Sequence, residues 1–393
     1  MTSHWLRSAT RPPHSTSVDK ASTQKRPSPI TASITAFLRQ HVTPIASQLD
    51  ADPATLFSTF RAAAQLDLLT PKLPQSWGSA GLSAPEYRQL QAEIAAHSGA
   101  LAFLLTQHQS AASFLLAGEN DELKSTYLAA MATGEACIGV GFSHLRRSQP
   151  TAIAQKVRGG YCLSGSVPWV TGAGLFDQFV GAASLPDGSA VFGLMPLANS
   201  LQNNGMLTVS PSMPMASMAA TNTVGVQLEN WFLEDAQVIG IKAPGWLKSR
   251  DHANPLSPLG LILGCTTAAC RILSASLQRR QIEHPIAHQL MQEKAQMATA
   301  LEQYVVLPES AYAEKIAFRG QAIALMNQCA QAAVIASGGA ANGLTHPAKR
   351  ILGEALVFSV SGQSNDGATA SLDALRPTTH QPVYSPKQST YVN

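Results

Sequence analysis

Trp169 and Thr171 stand two residues apart at the end of the stretch Gly159-Gly160-Tyr161-Cys162-Leu163-Ser164-Gly165-Ser166-Val167-Pro168-Trp169-Val170-Thr171-Gly172. Residues at i and i+2 of a strand share a face, so the indole and the hydroxyl are expected to project side by side. An indole is a flat apolar surface with one N–H donor, and beside a hydroxyl it suits one wall of a site for a planar ring rich in heteroatoms. The same two residues also suit a core tryptophan and an ordinary strand threonine. The stretch itself reads as a tight turn, a strand, a second turn at Ser164-Gly165 and a closing strand. Whether the pair does chemistry depends on the elements around it.

The 393 residues are 45% hydrophobic and only 13% charged, which gives a well-buried globular protein and leaves apolar surface for self-association. A net charge of +3 is too small and too dispersed for a nucleic-acid or membrane-surface partner. No apolar run is read as long enough to span a bilayer. The cysteines Cys137, Cys162, Cys265, Cys270 and Cys329 contain no C-x-x-C pair. They read as buried thiols of a reducing, cytoplasmic compartment, with neither zinc nor disulfides.

Residues 1-30 are rich in Ser, Thr, Pro and basic residues, with Asp19 as the one acid, and read as a disordered tail. Arg7, Arg11, Lys20, Lys25 and Arg26 would suit an organelle-targeting peptide, but a clear amphipathic face is missing. Residues 31-135 read as helical. Ile34, Phe37, Leu38, Val42, Ile45 and Leu49 recur at helical spacing, Asp52 caps a helix opening on Pro53, Ser83-Ala84-Pro85-Glu86 forms a capping box, and 101-117 is apolar nearly all round. Residues 136-245 break into short apolar runs between Gly, Pro and Asn, which predicts an antiparallel sandwich or barrel. Residues 246-380 turn helical from Leu256, with long helices over 259-277, 286-305, 312-337 and 347-359, and 381-393 form a second tail. The fold class expected is α+β: a helical domain, a β domain and a four-helix bundle in succession.

On this order of elements lie motifs that resemble the acyl-CoA dehydrogenase family of flavoproteins, over residues 34-375. Pro74-Gln75-Ser76-Trp77-Gly78-Ser79-Ala80-Gly81-Leu82 is similar to the family's glycine turn, with one glycine replaced. Gly118, Tyr127-Leu128 and Gly134-Glu135 match the run into the first strand, and Trp231 to Gly240 matches the close of the β domain. The opening stretch matches the signature whose Trp and Thr lie against the isoalloxazine.

The resemblance implies FAD as cofactor. It implies Trp169 and Thr171 at the flavin ring, with Phe142 and Ser143 from the preceding strand loop, and Arg279 reaching the pyrophosphate of a neighbouring subunit. Gly338-Gly339 would let the backbone approach the cofactor, and Ser364 belongs to the same set. Otherwise, Arg279-Arg280 reads as a solvated helix end and Gly338-Gly339 as a helix C-cap. A homodimer or homotetramer is implied, with a small-molecule substrate (an acyl thioester or another apolar compound) and an electron-transfer flavoprotein or a flavin reductase as redox partner.

Three departures qualify that picture. The family's catalytic glutamate falls on Gly362, counting on from Gly353-Glu354-Ala355, and glycine offers no proton acceptor. Some members place the base before the first C-terminal helix, where Asp251 and His252 are the candidates here; both also read as capping or loop residues. The loop after the first flavin strand carries Arg146 and Arg147, which suit either a phosphate, an acidic substrate or solvent. Pro308 interrupts the middle of the C-terminal domain, which bears against a thioester cavity. Two function classes follow: a flavoenzyme, either a dehydrogenase with a relocated base or a monooxygenase, and a non-catalytic flavin-binding or assembly protein.

Overall fold

The structure is a computed structural model, and it describes residues 31-375; the expected tails at 1-30 and 381-393 lie outside the described residues. The first helical pattern is continuous in sequence but not in hydrogen bonding. Helix α1 (Ala32–Phe37) passes through a π turn (Leu38–Val42) and a 3-10 turn (Thr43–Ile45) into α2 (Ala46–Ala51). Thr43 causes part of this by sending both its N–H and its hydroxyl to Leu38 O, while Pro44 has no N–H to give. Asp52 accepts the Thr55 N–H at 2.9 Å and opens α3 (Pro53–Ala63). The capping box at Ser83 and Glu86 opens α4 (Ala84–Ala95) as expected. Helix α5 (Gly99–Leu116) is buried on most sides, and α6 (Asp121–Thr133) ends at Gly134 with φ +81°.

The middle of the chain forms one nine-stranded sheet. Its strands are β1 (Ile138–Gly141), β2 (Ala152–Val157), β3 (Gly160–Val170), β4 (Gln178–Ser184), β5 (Ala190–Pro196), β6 (Ser200–Leu201), β7 (Met206–Val209), β8 (Val224–Glu234) and β9 (Val238–Lys242). The order is β6-β7-β8-β3-β2-β4-β5-β9, with β1 added alongside β4. Pairing is antiparallel except that β1 runs parallel to β4, and β2 meets β4 in parallel at Ile153 and Ser184. The second turn expected at Ser164-Gly165 is absent. The strand continues through a bulge there, with Gly165 at φ +111° and so close to Thr151 O that a Cβ would collide.

Helix α7 (Trp246–Ala253) precedes the expected start of the last region at Leu256. The four long helices follow as α8 (Leu259–Arg279), α9 (Ile286–Val305), α10 (Tyr312–Ser337) and α11 (Pro347–Val360). A further short helix, α12 (Asn365–Asp373), closes the described chain. The expectation that no run could span a bilayer needs correcting: α8 is long and apolar enough, with mean hydropathy 1.5 over 18 residues. Its 67% burial within the protein makes it a core helix. Cys270 on α8 and Cys329 on α10 meet inside the bundle with their sulfurs 3.6 Å apart.

The three regions meet at a buried polar node. Glu354 on α11, 0% exposed, accepts the Gly99 N–H at 3.0 Å at the start of α5 and pairs with Arg350 one turn away. A Cβ on Gly99 would stand 2.6 Å from Glu354 Cδ, so any larger residue there would displace the Glu354 carboxylate. Asp50 on α2 accepts the Met218 N–H at 2.9 Å and the Ser217 hydroxyl at 3.2 Å, from the loop before β8. Ser217 in turn lies against Gly353, where a Cβ would come within 2.7 Å of its Cβ.

A second buried polar group joins α5 to β1. His108 Nδ1 accepts the Ile138 N–H at 3.2 Å while Nε2–H donates to Met131 O at 3.1 Å, which uses the neutral ring completely. Burial pushes His108 down to about 4, and burial does the same to His144, which donates to Ala182 O. Both fold as neutral rings and bind a proton more readily when unfolded, so stability falls as pH drops from 6.5 towards 4. Denaturant unfolding should show a loss of up to roughly 3 kcal/mol per histidine across that window. His108→Gln should be less stable at pH 7 but lose less on acidification. Equal slopes for wild type and variant would show that His108 does not set the pH dependence.

Candidate functional site

β3 ends at Val170, so Trp169 is its penultimate residue and Thr171 lies one residue beyond the strand. Trp169 is 48% exposed, and among the described residues it is the only Phe, Tyr or Trp left exposed. Half-exposure of an indole forgoes on the order of 2 kcal/mol of burial, which a planar ligand would recover. Thr171 is buried, with its hydroxyl 3.1 Å from that of Thr223. The indole is thus open and the hydroxyl recessed, an asymmetry that the strand rule did not anticipate because the strand stops between them.

Two glycines bring the β1 loop to this strand end. A Cβ on Gly141 would lie 2.8 Å from Val170 Cγ2, and one on Gly139 would lie 3.2 Å from Thr171 O. Only their absence lets β1 approach so closely. Phe142 then turns into an aromatic cluster with Phe114 and Phe192, at centroid distances of 5.5 and 5.6 Å. Its ring belongs to the core. Ser143 is exposed and opens a 3-10 turn, Ser143–Arg146.

The same short turn reaches a second group of residues. Arg146 Nε and Nη2 bond the two oxygens of Asp251 at 2.7 and 2.9 Å, a bidentate pair between the β1 loop and α7. Arg146 thus has a fixed partner although it remains exposed. Asp251 and His252 lie inside α7, which Trp246 anchors on the aromatic cluster, 5.4 Å from Phe192. The His252 ring stacks on Tyr312 at 3.8 Å and 19°, and the Tyr312 hydroxyl donates to Asp366 at 3.0 Å. Burial pushes the Tyr312 phenol up, with Asp366 adding to it.

Gly362 lies in the loop between α11 and α12 at φ +60°, with nothing within 4 Å of where a Cβ would stand. Arg319 on α10 secures this loop by donating from Nη2 to Ser361 O at 3.0 Å and Gly362 O at 3.3 Å. It is 4% exposed, its Nε has no partner, and burial pushes its guanidinium down while Asp251 opposes that. Ser364 caps α12 by accepting the Gly367 N–H at 3.2 Å. Asp251, His252, Gly362 and Ser364 thus share one network that includes Tyr312 and Arg319. A lone arginine in the apolar run of α10 was the sequence signal for Arg319.

The third set lies at the far end of α8. Arg279 is exposed, whereas Arg280 sends Nη1 to Ala336 O at 3.1 Å. Gly338 has φ +65° and ψ -154°, a conformation nearly restricted to glycine, and a Cβ there would lie 3.2 Å from Arg280 Nη1. It is Arg280, rather than its neighbour, that touches the glycine turn; the helix ends there, and sequence order alone does not set which arginine folds back. Gly339 has open space around it. The bare indole, the recessed hydroxyl pair and exposed Ser143 are a donor and stacking set suited to a flavin ring.

Residues 28–135 match the family profile of the acyl-CoA dehydrogenase N-terminal domain. The chain is 26% identical over 260 residues to a 3-(aryl)acrylate reductase of Clostridium sporogenes, covering 64% of this chain and 68% of that relative. It superposes on an acyl-CoA dehydrogenase from Geobacillus kaustophilus with a TM-score of 0.73 at 12% identity, covering 88% of this chain and 96% of the other. Glutaryl-CoA dehydrogenase from Mycobacterium smegmatis gives 0.71 at 17%, covering 86% and 92%.

The left-handed backbone at Gly362 carries a direct consequence. Gly362→Ala should cost about 1 kcal/mol from φ alone, since the space for the methyl is open. The shift in denaturant midpoint measures it, and an unchanged or raised midpoint would mean that this loop is not held at φ +60°.

Proposed function

We propose, for a chain whose residues 28–135 match the acyl-CoA dehydrogenase N-terminal domain and which superposes over 88% of its length on an acyl-CoA dehydrogenase, an FAD-dependent oxidoreductase acting on a CH–CH bond. The observation that carries this is Trp169, the one exposed Phe, Tyr or Trp of the described residues, set beside the recessed Thr171 hydroxyl. Trp169 would hold one edge of the flavin, with Thr171 and Ser143 as hydroxyls near it, and Arg279 with Gly338 and Gly339 would serve the pyrophosphate of a neighbouring subunit. When bound, FAD supplies or accepts the hydride at the β-carbon.

The chain's own residues must manage the proton at the α-carbon. Gly362, at the place the family resemblance assigns to the base, cannot do so. Asp251 is the best-placed carboxylate, because Arg146 fixes both its oxygens and each keeps a second lone pair. In this role Arg146 orients, Asp251 moves the proton, and His252 on Tyr312 walls the site. The Clostridium relative's name, a 3-(aryl)acrylate reductase, supports the reductive direction on an unsaturated acid derivative, with electrons delivered by an electron-transfer flavoprotein or a flavin reductase. A second reading, a flavin monooxygenase on the same fold, is favoured by the missing acceptor at Gly362, since oxygen activation needs no such carboxylate.

A homodimer or homotetramer through the C-terminal helices belongs to the same proposal. Leu352, Leu356 and Val360 recur every fourth residue on α11 and are 38%, 54% and 55% exposed, which forms an apolar stripe.

Purified protein should carry a visible flavin band, and Trp169→Ala should lower its flavin content severalfold at unchanged yield. An equal flavin content would remove the indole from the site. Anaerobic addition of acyl thioesters or aryl acrylates, with dithionite-reduced protein in the latter case, tests turnover. Asp251→Asn should slow it by about 100-fold, within the usual range for a general base. Turnover unaffected by that change would rule Asp251 out, and flavin bleached only by a reductase would select the monooxygenase.

A further inference from the structure

A cleft of about 620 Å³ lies between the π turn after α1, the end of α4, the outer face of α8 and the start of α11. None of its lining residues belongs to the flavin set, and its volume is in the range of small-molecule sites. Arg39, Arg271 and Arg350 line it from three different elements, and no carboxylate is among the described lining residues. Pro44, Ala268, Ile272 and Pro347 supply apolar wall.

The arginines are arranged in depth. Arg350 is 6% exposed, and although Glu354 takes Nη1, its buried Nε has no partner. Arg39 and Arg271 are exposed at the rim, with Arg271 making one long bond to Ala96 O at 3.4 Å. His97 is buried between Thr43, 2.5 Å from Nδ1, and Glu93, 3.3 Å from Nε2. The hydrogen bond from His97 holds the Glu93 carboxyl below the usual range, and the charges of Arg271 and Arg39 act on it in the same direction. Glu93 and Glu354 are the carboxylates beside these guanidinium groups, with Asp50 near enough to act on Glu354, and none of the three lines the cleft itself. Arg39 itself sits on the π turn, an irregularity that costs backbone hydrogen-bond geometry and commonly accompanies a binding site.

We propose that this cleft is a second ligand site, for a small molecule carrying one terminal oxyanion, carboxylate or phosphate, on an apolar body. The oxyanion takes the fork geometry of Arg39 and Arg271 over the base formed by Arg350, and the body lies on Ile272 and Ala268. Because the walls come from the first helices and from α8 and α11, the bound molecule clamps the N-terminal helices to the C-terminal bundle. Such a ligand raises thermal stability with its concentration.

The test uses the full chain as purified, titrated calorimetrically with phenyl phosphate and with benzoate, and with benzyl alcohol as the neutral control. Saturable binding of one or both anions, with a rise in Tm, is expected whether or not flavin is bound; the arm that binds identifies the oxyanion. The Arg39→Gln, Arg271→Gln double variant should bind about tenfold more weakly at the same unliganded Tm, and Arg39→Gln alone should show part of that loss if the double variant is unstable. Absence of saturable binding in both arms, equal binding of benzyl alcohol, or wild-type affinity in the variants would overturn the proposal.

Discussion

The structure depends on one buried carboxylate. Glu354 sits without solvent contact at the start of α5, where the first N–H groups of a helix lack partners and carry partial positive charge. Burying that charge is costly, and Arg350 with the Gly99 N–H offsets the cost only when α11, α5 and the pair are all in register. Removing one partner from such a pair typically costs about 3–5 kcal/mol, because the other charge is then stranded. The node therefore acts less as a source of net stability than as a constraint on alternatives. With Asp50 tying α2 to the loop before β8, it admits one placement of the helices on the sheet.

That placement determines the candidate site. Fixed at its start by Glu354, α5 delivers His108 to β1 in its middle and Phe114 to Phe142 and Phe192 near its end. The cluster then seats Trp246 and orients α7, so that Asp251 meets Arg146. Two half-sites result, one of Trp169, Thr171 and Ser143 and one of Asp251, His252, Tyr312 and Arg319. A 3-10 turn of four residues, with Ser143 at one end and Arg146 at the other, joins them. A redox group held by the first half and a proton handled by the second would be coupled through this turn.

Much of the architecture was legible because its signals are local. Asp52 before Pro53 and the Ser83–Glu86 box carry their hydrogen bonds within three residues, and they stand where the sequence put them. The run 101-117, apolar nearly all round, forecast a helix buried on most sides for the same reason. What was not legible depends on contacts between distant segments. Ser164-Gly165 has the composition of a turn, yet pairing with β2 and β8 keeps the strand going and makes it a bulge. The choice of Arg280 over Arg279 follows from where α10 ends, and Arg146 gains its partner 105 residues away. The apolar α8 is a membrane candidate by composition, and only its 67% burial marks it as core. Glu354 served in the sequence merely as a marker for counting towards Gly362, because nothing in its neighbours announces Gly99.

The conformation at Gly362 also bears on how this site can evolve. One nucleotide change converts a glycine codon to one for aspartate or, depending on the third base, glutamate. A side chain would meet no steric barrier at this position, since its Cβ has open space. The backbone does discriminate, because φ +60° is tolerated by Asp and Asn far better than by longer residues. The position thus works as a conformational filter on substitution. An acid arising here would be accommodated more easily as aspartate, whose side chain reaches one methylene less far into the loop than glutamate.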